Sequence, residues 1–327
     1  MADFRMIIRQ TGGPEVIERE PVDAAALAPG PGEVRLRQSA VGLNFIDTYQ
    51  RSGLYRVELP SGLGAEGSGT IDAVGAGVDD FQIGDRVAYG TGPLGAYASV
   101  RLIPAEHLVR LPAEIAEETA VAAMLKGMTA CYLIEDCAKV REGQTVLVHA
   151  AAGGMGSILV PWLRRVGAVV IAHAGSAEKA RQAHEAGAHH VLSCPMDALA
   201  SEVRALTNGK GAEIVLDGVG KASWAASLAS LARMGLMVSY GNASGPIASF
   251  TALDLMAAGS VFVTRPTLAH YGATAEQRRR LAGRVFAVIE SGLEFYIGQR
   301  FDLADAAGAH RALESRNTRG ATVMTIS

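Results

Sequence analysis

The residues best placed to do chemistry are the glycines that close Val146–Gly156, VLVHAAAGGMG. Val146-Leu147-Val148-His149 reads as a short buried strand, Ala150–Gly156 as a turn of small residues, and Ile158-Leu159-Val160 with Trp162-Leu163 as the start of a helix. Gly153 lets the backbone approach a pyrophosphate, and Gly156 lets the helix pack close to the strand. The unpaired N–H groups of the first helical turn then point at the phosphates, and the helix dipole favours their charge. Gly154 and Met155 lie in the same turn. The first glycine of a G-x-G-x-x-G pattern is here Ala151, so the pattern carries one extra methyl group. A strand-to-helix packing turn without a ligand is the plainer alternative, and the residues beyond the turn decide between them.

The next strand end chooses the ligand. An NAD site usually carries Asp or Glu there, to accept hydrogen bonds from the ribose 2′-hydroxyl. This chain reads Ile171-Ala172-His173-Ala174-Gly175-Ser176-Ala177-Glu178-Lys179, with no acid closing the strand. Gly175 leaves room for an extra phosphate, Ser176 can donate to it, and Lys179 supplies a point charge. Glu178 is the opposing sign, but it can face away on the helix. The pattern points to NADPH rather than NADH.

The elements that must position these residues alternate. Strand patterns fall at Val146–His149, Ala168–Ala172, Val191–Ser193, Ile214–Asp217, Leu236–Tyr240 and Val261–Val263. Helical runs lie between them at Met155–Arg165, Ala177–Ala186, Asp197–Leu206, Ser223–Ala232 and Ala252–Ala257. Such alternation predicts an α/β fold with a doubly wound, six-stranded parallel sheet, whose ligands sit at the carboxyl ends of the strands. Those ends include Asp217-Gly218-Val219-Gly220, Tyr240-Gly241-Asn242 and Thr264-Arg265-Pro266, all small or polar. Residues 1–125 are instead strand-rich and punctuated by Gly, Pro and Asp, which predicts a partly closed antiparallel sheet. Ala116–Met124 and Gly127–Ala138 read as helical, as does Thr274–Ser291, and a strand near Thr322–Ile326 closes the chain.

Composition fits this. The 327 residues are too many for one ordinary core, and 49% hydrophobic with 19% charged residues is globular. A net charge of −3 and 6% aromatic residues give no footprint for nucleic acid. No apolar run approaches the ~18 residues of a membrane span, and no signal-peptide pattern opens the chain. Three cysteines, Cys131, Cys137 and Cys194, form neither a disulfide framework nor a zinc spacing. A cytoplasmic protein is expected.

Asn44-Phe45-Ile46-Asp47-Thr48-Tyr49, Arg51-Ser52-Gly53-Leu54-Tyr55, Gly64-Ala65-Glu66-Gly67-Ser68-Gly69, Gly84-Asp85-Arg86-Val87 and Ala150–Gly156 occur in order. So do Leu125-Lys126-Gly127-Met128-Thr129-Ala130, Ser239-Tyr240-Gly241-Asn242 and Val263-Thr264-Arg265-Pro266. Together they resemble the zeta-crystallin-type NADPH:quinone oxidoreductases of the medium-chain dehydrogenase/reductase superfamily, over nearly the whole chain. The resemblance implies a GroES-like β-rich catalytic domain over 1–126 and 266–327, a Rossmann NADPH-binding domain over 127–265, and a cleft between them. It implies homodimers paired through the edges of the Rossmann sheets. It places Asn44, Phe45, Ile46, Asp47, Thr48 and Tyr49 at the nicotinamide end, with Thr129 and Tyr132. Gly153, Gly154, Met155 and Gly156 then face the pyrophosphate, and Gly175, Ser176 and Lys179 the 2′-phosphate. Gly218, Tyr240, Gly241, Asn242 and Ala243 flank the nicotinamide ribose, with Pro266, Thr267, Leu268 and Arg316 nearby. Two departures stand out: Cys194 where relatives carry a tyrosine beside the adenine, and Gly218 where they carry a serine.

The zinc alcohol dehydrogenases share this fold and use a cysteine near Asn44, a histidine in a Gly-His-Glu element, and a third ligand. Here Asn44 and Ala65 occupy those places, and Glu66 alone is not a site. No metal is expected, and without a Lewis acid an activated acceptor suits better than an alcohol. The expected reaction is hydride transfer from NADPH to a quinone. Asn44, Tyr49 and Tyr55 are the candidate donors to the oxygen that gains charge, Arg265 could bias the pocket positive, and Asp47 would orient the ribose or Tyr49. The rival within enzymes is a reductase of enones or enoyl thioesters. Its carrier would need a basic rim, for which Arg278-Arg279-Arg280 is available but reads as solvated. The rival outside enzymes is an RNA-binding or lens-type structural role.

Overall fold

The computed structural model describes residues 2–315 and 318–326. The chain separates into two compact units, Met1–Met128 with Gly272–Ser327 and Thr129–Tyr271. The family resemblance sets these limits slightly earlier, at 126/127 and 265/266.

The chain runs β1 (Phe4–Ile8), β2 (Ile17–Pro21), β3 (Glu33–Leu43), α1 (Phe45–Ser52), β4 (Ser61–Gly62), β5 (Gly67–Val74), β6 (Arg86–Tyr89), β7 (Val100–Pro104) and β8 (Val109–Arg110). Then α2 (Glu117–Cys131) continues into a π-helical turn, Tyr132–Cys137. The second unit follows as β9 (Thr145–Val148), α3 (Gly156–Val166), β10 (Val169–His173), α4 (Ala177–Glu185), β11 (His190–Leu192), α5 (Met196–Leu206) and β12 (Ala212–Asp217). It continues as α6 (Trp224–Ser230), β13 (Leu231–Ser239), α7 (Ala252–Ala257), β14 (Phe262–Thr264) and α8 (Leu268–Tyr271). The chain then returns to the first unit as α9 (Ala275–Glu290), β15 (Ile297–Asp302), α10 (Ala306–Glu314) and β16 (Ala321–Thr325).

In the first unit a seven-stranded sheet runs β15-β16-β3-β5-β6-β8, with β7 also pairing β3, beside a three-stranded sheet β2-β1-β4. Leu36, Ile71, Val87 and Ile103 form one core on these strands, and Ile8, Leu43, Leu63 and Met324 another. The strand pairs among the described residues up to 125 are antiparallel, as expected, whereas β15 and β16 of the C-terminal segment run parallel. The helix α10 between them supplies the crossover that a parallel pair requires.

In the second unit six strands run parallel in the order β11-β10-β9-β12-β13-β14, as the alternation predicts. Val146, Leu147, Val148, Val215 and Leu216 are fully buried, the mark of central strands covered on both faces. One helix ends early. The alanine-rich pattern predicts helix through Ala232, but α6 stops at Ser230 and Leu231 turns extended to pair with Ala212. Leu231 is fully buried in the core around Leu147 and Met237, and that packing outweighs local helix propensity.

Candidate functional site

The turn after β9 carries its strain one residue earlier than the pattern implies. Ala150, not Ala151, holds a positive φ of 49°. A non-glycine residue there costs roughly 1–2 kcal/mol, and such outliers gather at ligand clamps. The N–H of Ala151 donates to the carbonyl of His173 at 3.1 Å, tying the turn to the end of β10. Gly156 cannot bear a side chain: a Cβ would stand 2.4 Å from the Ala150 oxygen and 2.5 Å from the Ala151 Cα. Helix α3 can therefore begin directly against the turn, with Gly153, Gly154 and Met155 half-buried before its first N–H groups.

At the end of β10, a Cβ on exposed Gly175 would meet nothing within 4 Å. Ser176 caps α4, its Oγ accepting from the Lys179 N–H at 3.3 Å. Glu178 turns to Arg181 and Gln182, at 2.8 and 2.9 Å. Open space, a capping hydroxyl and a lysine thus stand together, with the neighbouring acid engaged elsewhere, and this donor set fits a phosphate.

The ends of β12 and β13 are stitched together. The Tyr240 N–H donates to the Asp217 carbonyl at 2.8 Å, and the Ala243 N–H to the Gly218 carbonyl at 3.2 Å. The place of Gly218 is occupied by the ring of Tyr240, whose Cε2 would lie 2.7 Å from an added Cβ, so the missing serine makes way for that ring. Gly241 and Asn242 are half-buried beside it. Arg265 donates to the Ser239 carbonyl at 2.7 Å, which anchors its guanidinium to the end of β13. Pro266 and Leu268 are half-buried and Thr267 is exposed. Thr129 is half-buried. Tyr132 is buried and stacks on Tyr271 with ring centroids 4.5 Å apart. Burial holds the Tyr132 phenol protonated well above its ordinary range. Arg316 lies outside the described residues.

In the first unit, Asn44 caps α1. Phe45, Ile46 and Tyr49 are half-buried, with Tyr49 edge-on to Tyr55 at 5.3 Å and Phe45 at 6.3 Å from Tyr49. Two expectations change here. Asp47 does not turn to Tyr49. It is fully buried, its Oδ2 accepting from the Asn44 N–H at 2.8 Å and the Tyr97 hydroxyl at 3.0 Å. Burial, with some repulsion from Glu66, pushes its pKa up to about 7 against the pull of those donors and Lys126. Thr48 is buried and donates its hydroxyl to the Phe45 carbonyl at 2.8 Å. Arg278 is not solvated either. It is buried and holds the carbonyls of Gly272, Ala273 and Glu106.

Two buried polar clusters were not anticipated as working parts. In one, Glu66 accepts from the Asn44 side chain, the Leu125 N–H and Lys126. In the other, Asp217 Oδ2 accepts from Ser223 and Ser227, and Ser227 also meets His149 Nε2 at 2.9 Å. A charged or polar residue set among apolar and glycine neighbours, as Glu66 and His149 are, was the available signal. Among the described residues no group of three or more His, Cys, Asp and Glu could hold a metal, and no helix is long and apolar enough to cross a membrane.

Two family models match the chain: an alcohol dehydrogenase GroES-like domain over residues 30–113, and a zinc-binding dehydrogenase over 154–275. A quinone oxidoreductase of Pseudomonas aeruginosa is 48% identical over 315 residues, 96% of each chain. A 2-haloacrylate reductase of a Burkholderia species is 40% identical over 97% of each chain. Among solved structures, Escherichia coli quinone oxidoreductase complexed with NADPH superposes with a TM-score of 0.95 at 40% identity, over 98% of this chain and 99% of that one. A GroES-like domain joined to a six-stranded parallel sheet defines a medium-chain dehydrogenase/reductase. Within that superfamily the chain belongs to the quinone oxidoreductase family.

Proposed function

We propose that this protein is an NADPH-dependent quinone reductase. The observation that carries the reading is the end of β10, where the space at Gly175, the Ser176 cap and Lys179 fit a 2′-phosphate and no acid competes for a ribose hydroxyl. When bound, NADPH supplies the hydride. The chain's own residues do the rest. Gly153–Gly156 and the first turn of α3 hold the pyrophosphate. Tyr240, Gly241, Asn242 and Ala243 hold the ribose, with Pro266, Thr267 and Leu268. Phe45, Tyr49 and Tyr55 offer an aromatic surface for a flat acceptor, and Asn44 and the two phenols stand as donors to its oxygen.

The reaction is read as zinc-free from the donors around Glu66. Its two oxygens already accept three nitrogen donors, one of them an ammonium group, and Asn44 and Ala65 add no metal ligand. Two copies are proposed to pair along β14, an edge strand that exposes Phe262, with Leu253 and Met256 of the preceding helix α7 also exposed. Cys131, Cys137 and Cys194 are thiols rather than disulfides, which suits the cytoplasm.

The test is NADPH consumption with 1,4-benzoquinone, 9,10-phenanthrenequinone, an enone and crotonyl-CoA. Turnover confined to the quinones supports the reading, and turnover confined to the other two overturns it. The second reading, reduction of an activated carbon–carbon double bond, is favoured by the 2-haloacrylate reductase, which matches over as much of its length as the quinone enzymes do.

A further inference from the structure

Two nearly buried nitrogen donors converge on one carboxylate oxygen in the first unit. Asn44 Nδ2 and Lys126 Nζ both donate to Glu66 Oε1, at 2.7 and 3.3 Å, while Glu66 Oε2 takes the Leu125 N–H at 2.8 Å. Glu66 is fully buried, and Asn44 and Lys126 are each 6% exposed. The pocket for this carboxylate is built into the sheet. Gly42, on the neighbouring strand β3, has no Cβ where the Glu66 side chain stands, and any larger residue would overlap it.

This arrangement is more than a buried ion pair needs. Burying an ammonium group is expensive unless its hydrogens are matched, and a structural pair is expected to be short and fully bonded. Among the described residues Lys126 instead makes one long bond and retains two N–H groups, and the Asn44 amide retains one. Asp47, whose carboxyl feels the field of Lys126, makes no hydrogen bond to these N–H groups among the described residues, its Oδ2 being taken by the Asn44 N–H and the Tyr97 hydroxyl. Glu66 therefore holds two donors side by side with capacity left for an oxygen of negative charge. Asn44 is the N-cap of α1, whose next residues Phe45, Ile46 and Tyr49 are half-buried, and Lys126 reaches the same Glu66 oxygen from α2.

We infer that Lys126 and Asn44 form an oxyanion-binding site for the substrate's phenolate oxygen, and that Lys126 is the catalytic proton donor to it. The inference rests on the quinone-reductase reading and names the residue that completes it. Hydride addition leaves an electron pair on the acceptor's oxygen. One Nζ–H bond breaks as the O–H bond of the hydroquinone forms, and the neutral amine left on Lys126 regains a proton from water. Glu66 moves no proton. It pairs with the ammonium group and fixes both donors before the oxygen gains its charge, so little reorganisation remains for the reaction.

The site can be read without turnover. 4-Nitrophenol, added to the full chain with NADP+, reports its ionisation by colour. The wild type should bind the phenolate form and lower the apparent pKa of the phenol by about one unit, as a fixed cation does. Lys126→Met should abolish that shift. Combining it with Glu66→Gln leaves no uncompensated buried charge, so this double variant should fold and also lose the shift. Lys126→Arg should retain the shift, because the charge stays, yet lose about 100-fold or more in kcat, because a guanidinium does not give up its proton. Ethylamine added to Lys126→Ala should restore turnover, while NADPH affinity measured by nicotinamide fluorescence stays at the wild-type value. A phenol shift and kcat unchanged in both Lys126→Met and the double variant would overturn the inference. If instead the wild type shows the Lys126-dependent shift but reduces no quinone, the anion site stands and the quinone reading falls.

Discussion

Gly241 and Gly218 meet backbone to backbone: a Cβ on Gly241 would stand 2.4 Å from the Gly218 carbonyl oxygen and 2.8 Å from its Cα. The obstacle is main chain on a loop held by Asp217 and Tyr240, so it cannot rotate aside. Gly241→Ala should cost about 1–3 kcal/mol and weaken NADPH binding, by moving Tyr240 and Asn242. Gly218→Ser meets only the outer atoms of the Tyr240 side chain, whose displacement costs less than that of main chain. It should leave the melting temperature nearly unchanged. Thermal melts of the two variants check the contrast, and equal losses would contradict it.

Lys179→Ala should discriminate between cofactors. A charge-assisted hydrogen bond to a phosphate is worth about 1.5–3 kcal/mol, so KM for NADPH should rise about 10- to 100-fold while KM for NADH hardly changes. Glu178 is occupied by Arg181 and Gln182 and should not take over a ribose hydroxyl. Equal losses with both nucleotides would remove the 2′-phosphate from this strand end.

Asp47 should leave a signature in stability against pH. Its carboxyl titrates near 7 in the folded chain because burial penalises the charge, against an ordinary value of 3.8. The unfolded chain therefore releases this proton first, and the stability that Asp47 contributes at low pH is lost as pH rises from about 4 to about 7. Asp47→Asn keeps an oxygen for the Asn44 N–H and the Tyr97 hydroxyl and removes the titration. Urea unfolding at pH 5, 6, 7 and 8 should show the variant gaining on the wild type with each step up to pH 7 and level thereafter. A constant difference would mean that Asp47 does not titrate in that window.

These features differ in how far the chain announces them. The parallel sheet was legible because each central strand is a short unbroken apolar run between helical patterns, and Gly156 was legible because its spacing from the strand has one steric purpose. Leu231 was not, because its extended conformation comes from pairing with Ala212 rather than from its alanine-rich neighbours. Nor was the destination of Asp47. In sequence it sits close to Tyr49, but the fold brings Tyr97 to it from 50 residues away. Glu66 and Lys126 are 60 residues apart, so the setting of Glu66 among glycines could flag it without showing its partner.

Phe262 should carry self-association. It is 63% exposed on the edge strand β14, and Leu253 and Met256 of α7 are exposed to a similar degree. An unpaired edge with an apolar flank invites a second copy. Light scattering should find the wild type dimeric and Phe262→Glu monomeric, with the same circular dichroism spectrum. A wild type monomeric at micromolar concentration would end the proposal.

Ser227 tests whether the cluster behind the glycine turn is a cooperative network. Ser223 and Ser227 both place their hydroxyls 2.6 Å from Asp217 Oδ2, and a carboxylate only accepts, so both hydroxyls donate. The Ser227 oxygen must then accept from His149, which fixes the imidazole as the neutral Nε2–H tautomer. Burial agrees, pushing the His149 pKa down to about 4 despite the attraction of Asp217. The order Asp–Ser–His, with the serine buried in the middle, is not that of a hydrolase, where the histidine stands between. Ser227→Ala strands a buried N–H and removes one donor from Asp217, and should cost about 1–3 kcal/mol. His149→Phe removes the stranded donor, so the double variant should lose less than the two single losses combined. In the wild type, His149 should also withdraw stability as pH falls from about 6.5 towards 4, opposite in sign to Asp47, and His149→Phe should abolish that fall. Additive losses, or a Ser227→Ala cost of only a few tenths of a kcal/mol, would show that the three residues pack together without acting as one network.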